Sequence, residues 1–209
     1  RMLSTTDIQN LTTDQIQALT TAQLRSLSTD AIGALSSDQI VALKTSQVAA
    51  LSTANLAALS TTQIQAIETT DIAVLTTAQL VGMTVGNMGA LTSDQIVALK
   101  TSQIAALSTA NLAALGTTQM QAIETADIRA LTTTQLRGLT EDNIAALTTD
   151  QIRALTTSQI AGLSTTNIDN LTSDQLGALT TAQAAALTTA SFAGLSTTDI
   201  QNLTTEQIQ

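Results

Sequence analysis

The 209-residue chain contains no His, Cys, Pro, Trp or Tyr, and a single Phe, Phe192. Without His or Cys it has no imidazole base, no thiolate nucleophile and no soft metal ligand. Without aromatic rings it has no stacking platform for bases or sugars. Ser and Thr are plentiful but have no His to activate them, and neither G-x-x-x-x-G-K nor G-x-G-x-x-G occurs. These absences exclude most enzyme chemistry. The expectation is a non-enzyme with no catalytic, cofactor-binding or metal-binding residues and no cofactor.

Positive charge is also scarce, with Lys+Arg 7 against Asp+Glu 16 and a net charge of −9. An acidic chain repels phosphate backbones, so neither nucleic acid nor an anionic membrane surface is an expected partner. There is no run of about 18 apolar residues, so membrane insertion is not expected. No signal peptide is visible. The chain opens at Arg1-Met2 and stops at Gln209 in mid-pattern, as a segment of something longer would. With 44% hydrophobic and only 11% charged residues it is too apolar for a disordered acidic tail, so it is expected to fold or assemble.

What is present is a repeat of period eight. From Leu3 to Leu203 every eighth residue is aliphatic through 26 octads without insertion or deletion, only Ile67, Met83 and Ile123 replacing Leu. The consensus is L-[ST]-T-x-[QND]-[IL]-x-[AG], as in LTTDQIQA (11–18) and LSTANLAA (51–58). Position seven varies freely and must face solvent. Position eight is nearly always small, which implies close approach of another backbone. Residues 35–66 recur almost unchanged at 91–122, so the array grew by block duplication. Only a fold of equivalent neighbouring units tolerates such growth, which is the logic of a solenoid.

The octad is apolar at positions one, six and eight and does not alternate, which argues for helix over strand. With the N-cap at position two, the Gln, Asn or Asp at position five falls at N3 and makes a capping box. Leu at position one then sits at N′ and Ile at position six at N4, a hydrophobic staple. The nearly constant Thr at position three offers an alternative cap one residue later. A helix start every eight residues leaves helices of about five or six residues, too short to be stable alone, so stability must come from stacking. One unbroken helix is excluded because its apolar stripe would wind around the axis. The expected fold is all-α: residues 1–209 as one array, a solenoid of very short helices forming a rod, with a β-solenoid of eight-residue faces as the alternative. Two octads to a layer would give on the order of 120 Å for 26 octads at ~9 Å per layer.

The LTTxQIxAL octads resemble the low-complexity Thr-, Gln- and Ala-rich arrays of large secreted or surface-attached bacterial repetitive proteins. The resemblance covers essentially the whole chain and implies a spacer or fibre-forming stalk. The L-T-x-x-Q-[VI] opening also resembles the start of the transcription-activator-like effector repeat. Those repeats, however, are much longer and basic and carry base-reading loops that are absent here.

Several features are candidate sites. Thr pairs such as Thr12-Thr13 and Thr148-Thr149 form a hydroxyl array that suits helix caps or an ice-binding face. Asn10, Asn170 and Asn202 each begin an N-x-[ST] sequon within the same NLT context. Asp7, Asp71, Asp127, Asp199 and Glu141-Asp142 are too dispersed for a calcium loop and read as solvated or capping carboxylates. The octad from Met83 (MTVGNMGA) departs most from the consensus and reads as a weak point or bend. Phe192 is expected in the core, in the space left beside the small Ala184.

The function these readings imply is structural: a rod- or fibre-forming stalk or matrix segment of a secreted or cell-surface protein, self-associating end to end or side by side. The alternatives are a surface along the rod that binds ice, a glycan or a peptide, and an intracellular repeat scaffold.

Overall fold

Each octad spends its first half starting a helix and its second half completing little more than one turn. In the computed structural model, which describes residues 3–208, the octads form 26 α-helices of four to six residues, from α1 (Thr5–Gln9) to α26 (Thr205–Ile208). No strand is present among the described residues. The chain is an all-α solenoid of short helices, and the β-solenoid alternative is set aside.

The N-cap lies at position two. Ser4, Thr12, Thr20 and their equivalents hold an extended backbone and accept a hydrogen bond from the N–H of the residue at position five. That residue's side-chain oxygen in turn accepts from the N-cap N–H, closing the capping box. Five octads have Lys44, Glu68, Lys100, Gly116 or Glu124 at the N-cap and lack the side-chain cap. The Thr at position three is therefore N1, and its constancy has another cause, described below.

The chain divides into two compact units, residues 1–107 and 108–209, with the octad period running through both. Within each unit a helix packs on the helix three octads away. In the first unit α6 (Thr45–Val48) packs on α9 (Thr69–Ile72), and α9 packs on α12 (Ser93–Val97). In the second unit α16 (Thr125–Ala130) packs on α19 (Thr149–Ala154), and α19 on α22 (Ser173–Ala178). One coil thus takes three octads and not two. A helix of one and a half turns is too short to reverse the path completely at each end, so three sides are needed to close the coil.

The core is thin and aliphatic. Position-six residues such as Ile64, Ile72 and Leu80 are fully buried, and position-one residues such as Leu59, Ile67 and Leu75 nearly so. Each contributes roughly 1.5–3 kcal/mol on burial. The end coils show which face each position covers. Leu3, Leu11 and Leu19, at position one, are only half-buried, while Ile8, Ile16 and Leu24, at position six, are already fully covered. At the other end position six is the open one, with Phe192 at 40% exposure, Ile208 at 52% and Ile200 half-buried, while of the position-one residues Leu203 is buried and Leu187 and Leu195 are half-buried. Position one therefore docks on the preceding coil and position six receives the following one. Phe192 does not fill a gap beside Ala184 as expected, because its side chain belongs to a face that no coil covers.

Position eight is small for a different reason than the approach of a backbone. A Cβ built on Gly82 would lie 3.0 Å from Cβ and Cγ2 of Thr53, and one on Gly138 would lie 2.8 and 2.9 Å from the same atoms of Thr109. At Gly82, Gly138 and Gly162 position eight sits against a position-three Thr of the coil beneath, so there the two consensus positions are halves of one contact, whereas Gly194 faces the Asp169 side chain.

Candidate functional site

The residue with the most chemistry in each octad is the one at position five. Gln95 is typical. Its Oε1 accepts from the N–H of Thr92 at 2.9 Å, capping its own helix. Its Nε2 donates to the carbonyls of Ile64 at 2.8 Å and Ile67 at 2.7 Å, at the end of a helix four octads earlier. Gln39 does the same to Ile8 and Leu11, both at 2.8 Å. In the second unit Gln183 does so to Ile152 and Leu155 at 2.8 and 2.7 Å. Short helices leave many terminal carbonyls without an intrahelical partner. The amide supplies both halves of the remedy, one acceptor for an orphan N–H and two donors for orphan carbonyls.

This clamp is half-visible in the sequence. The capping-box pattern identifies the oxygen but gives no role to the nitrogen. The signal for it is that Glu, as good as Gln in a capping box, never stands at position five in any octad. A carboxylate has acceptors only and cannot hold the coil beneath.

Asp71 breaks the rule. It lies in α9, is 2% exposed, and its Oδ1 is buried without a hydrogen-bond partner. Burial raises its pKa above the ordinary carboxylate value. A hydrogen bond with the Thr45 side chain opposes the rise, and the nearby Glu68 charge adds to it. Asp127, in the octad of the same pattern seven units later, is 3% exposed. These two acids are neither solvated nor capping. Asp7 and Asp199 do close capping boxes, and Glu141-Asp142 lies in the exposed first turn of α18 (Glu141–Ala146). No group of three or more acidic, His or Cys residues that could hold a metal occurs among the described residues.

Position seven faces solvent as expected: Val41, Val81 and Val97 are all exposed. The longer side chains there lie along the surface. Arg25 Nε donates to the carbonyl of Ala50 at 2.8 Å, and Arg137 reaches Gly162 in the same register. Asn10 and Asn170 are helix C-caps, and Asn202 Nδ2 donates to Ser173 Oγ at 2.8 Å. The Met83 octad folds like its neighbours. Thr84 caps α11 (Val85–Gly89), and Asn87 Nδ2 clamps the carbonyls of Leu56 and Leu59.

The face of the first coil carries an open cavity of about 700 Å³ lined by Leu3, Leu11, Leu19 and Leu27 together with Gln15 and Gln23. Position-one leucines and position-five amides meet there, the two groups that elsewhere dock on a preceding coil. No helix among the described residues is long and apolar enough to cross a membrane.

Compared with known proteins, the chain matches the profile of the ALTTAQ repeat six times in succession, over residues 16–45, 40–66, 64–101, 97–122, 120–157 and 154–189. No curated protein matches the chain.

Proposed function

The chain belongs to the ALTTAQ repeat family, and from that premise and the self-complementary coil we propose that it is a structural repeat segment, a spacer or fibre-forming stalk of a secreted or cell-surface protein. The observation that carries this reading is the position-five clamp. Each coil of this kind presents leucines and amide donors on one face and aliphatic side chains and carbonyl acceptors on the other. Such a unit adds length without changing its joints, and its stability is a sum over neighbouring contacts. Side-chain variety is confined to the outer positions, where no chemistry recurs from one octad to the next. The function is thus mechanical, with no catalytic step.

The same complementarity supports end-to-end self-association, with the leucine and amide face around Leu11, Gln15, Leu19 and Gln23 as the docking surface. Small-angle scattering on chains lengthened by one and by two whole coils tests the spacer reading. The maximum dimension should grow by the same increment each time. A constant dimension would overturn the proposal. Protease treatment of intact source cells tests the location, with loss of the repeat expected and full protection contradicting it.

A further inference from the structure

We propose that Asp71 is a proton site built into the joint between coils: its carboxyl holds a proton in the folded protein, donates it to the coil beneath, and loosens that joint on ionising. This goes beyond the structural role and stands independently of it.

The register of the clamp sets the requirement. Gln47, Asn87, Gln95 and Gln103, all in the first unit, give their amide hydrogens to the carbonyls 31 and 28 residues earlier, in the coil beneath. For Asp71 that register points to the carbonyls of Ile40 and Leu43, at the end of α5 (Ser37–Val41). An ionised carboxylate has no hydrogen to offer, so acceptor would face acceptor in a buried position. A proton on Oδ1 converts the group into a donor and restores one of the two bonds that Gln makes. The orphaned Oδ1, the 2% exposure of the residue and the upward direction of its pKa agree with this.

The charged neighbours do not supply a substitute. Glu68, at the N-cap of the same helix, adds negative charge. Of the elements packed on α9, α6 carries Lys44 at its N-cap and α12 carries Asp94 in its first turn. The helix whose carbonyls would accept, α5, carries Asp38, and Lys100 stands at the N-cap of α13 (Thr101–Ala106), whose Gln103 clamps the end of α9. Neither lysine figures among the groups that shift the Asp71 carboxyl. Because the folded pKa is raised, the stabilisation is complete below the ordinary carboxylate range and is lost as pH rises through the folded value.

The test compares the wild type with Asp71→Gln and Asp71→Asn by urea unfolding and amide hydrogen exchange from about pH 4 to about pH 8, at fixed ionic strength. Asp71→Gln should unfold at higher urea than wild type at neutral pH. Its α9 amides should exchange roughly two- to twelve-fold more slowly, the factor that one recovered hydrogen bond gives. Both differences should shrink toward acid pH. In the wild type, the Asp71 carboxyl carbon should titrate above the ordinary aspartate range by ¹³C NMR, a readout that does not depend on how the variants fold. A difference that does not change with pH, or a carboxyl that titrates normally, would overturn the proposal. So would a neutral-pH wild type whose stability rises with sodium at constant ionic strength, since a cation and not a proton would then occupy the joint.

Discussion

Replacing Gln95 with Glu exchanges the amide nitrogen for a charged oxygen and isolates the second half of the clamp. The carboxylate still accepts from the Thr92 N–H, so the helix start survives. It loses both donated bonds, those at 2.8 Å to Ile64 and 2.7 Å to Ile67, and points an anion at two carbonyls in a site where Gln95 is 2% exposed. Leaving a buried acceptor unpaired costs about 1–3 kcal/mol, and two are left, so a loss of about 2–6 kcal/mol is expected at neutral pH. Gln95→Met leaves the same two carbonyls unpaired, and the Thr92 N–H as well, but introduces no charge, so it should also lose at least about 2–6 kcal/mol. Burial raises the pKa of the new carboxyl, so the Glu variant should recover part of its loss as pH falls through that value, while the Met variant should not. Urea unfolding with amide exchange across residues 60–70 and 92–98 measures both the size and the place of the effect. A Glu variant within about 0.5 kcal/mol of wild type, or one whose stability does not recover toward acid pH, would refute the donor role.

Three further outcomes follow from named contacts. Thr92→Ala should cost about 1 kcal/mol through loss of the side-chain cap, whereas Lys44→Ser should gain about 0.5–1 kcal/mol by supplying one that is missing; thermal unfolding checks both. Ile64→Ala, at a fully buried position-six site, should cost about 2–5 kcal/mol and Ile64→Val about 0.5–1.5 kcal/mol, read from urea midpoints. A Cβ on Gly162 would run into Cγ2 of Thr133, so Gly162→Ala should destabilise by about 1–3 kcal/mol. Adding Thr133→Ser should recover part of that loss, and strictly additive costs in the double-mutant cycle would count against the contact.

What the sequence disclosed, and what it withheld, divides along a physical line. The capping box and staple are interactions within one octad, so Thr92, Gln95 and the Leu91–Ile96 pair announce the helix start directly. The thin aliphatic core follows from the same local pattern. The number of octads in a coil is a property of contacts between coils, and a strict period of eight is equally compatible with two or three. The pairing of position three with position eight is hidden for the same reason. Thr53 and Gly82 each show a constraint, but nothing in the repeat says that the two constraints are one. The burial of Asp71 follows from the clamp, and only a reading that had already given the Gln nitrogen a partner would have singled it out. Phe192 looks like a core residue because its position is a core position, yet a core position is buried only where another coil lies over it.

The three-octad coil is tested most directly by cysteine pairs, since the chain has no Cys to interfere. A Cβ on Gly82 lies 3.0 Å from that of Thr53, inside the roughly 3.5–4.5 Å that a disulfide spans, so a small outward shift seats the bridge although several octads of chain lie between them. Thr53→Cys with Gly82→Cys should therefore cross-link rapidly under mild oxidation. The control pair Thr61→Cys with Gly82→Cys, one octad nearer in sequence, should stay reduced. A cross-link in the control and none in the first pair would mean that a coil holds two octads, and would contradict the clamp register along with it.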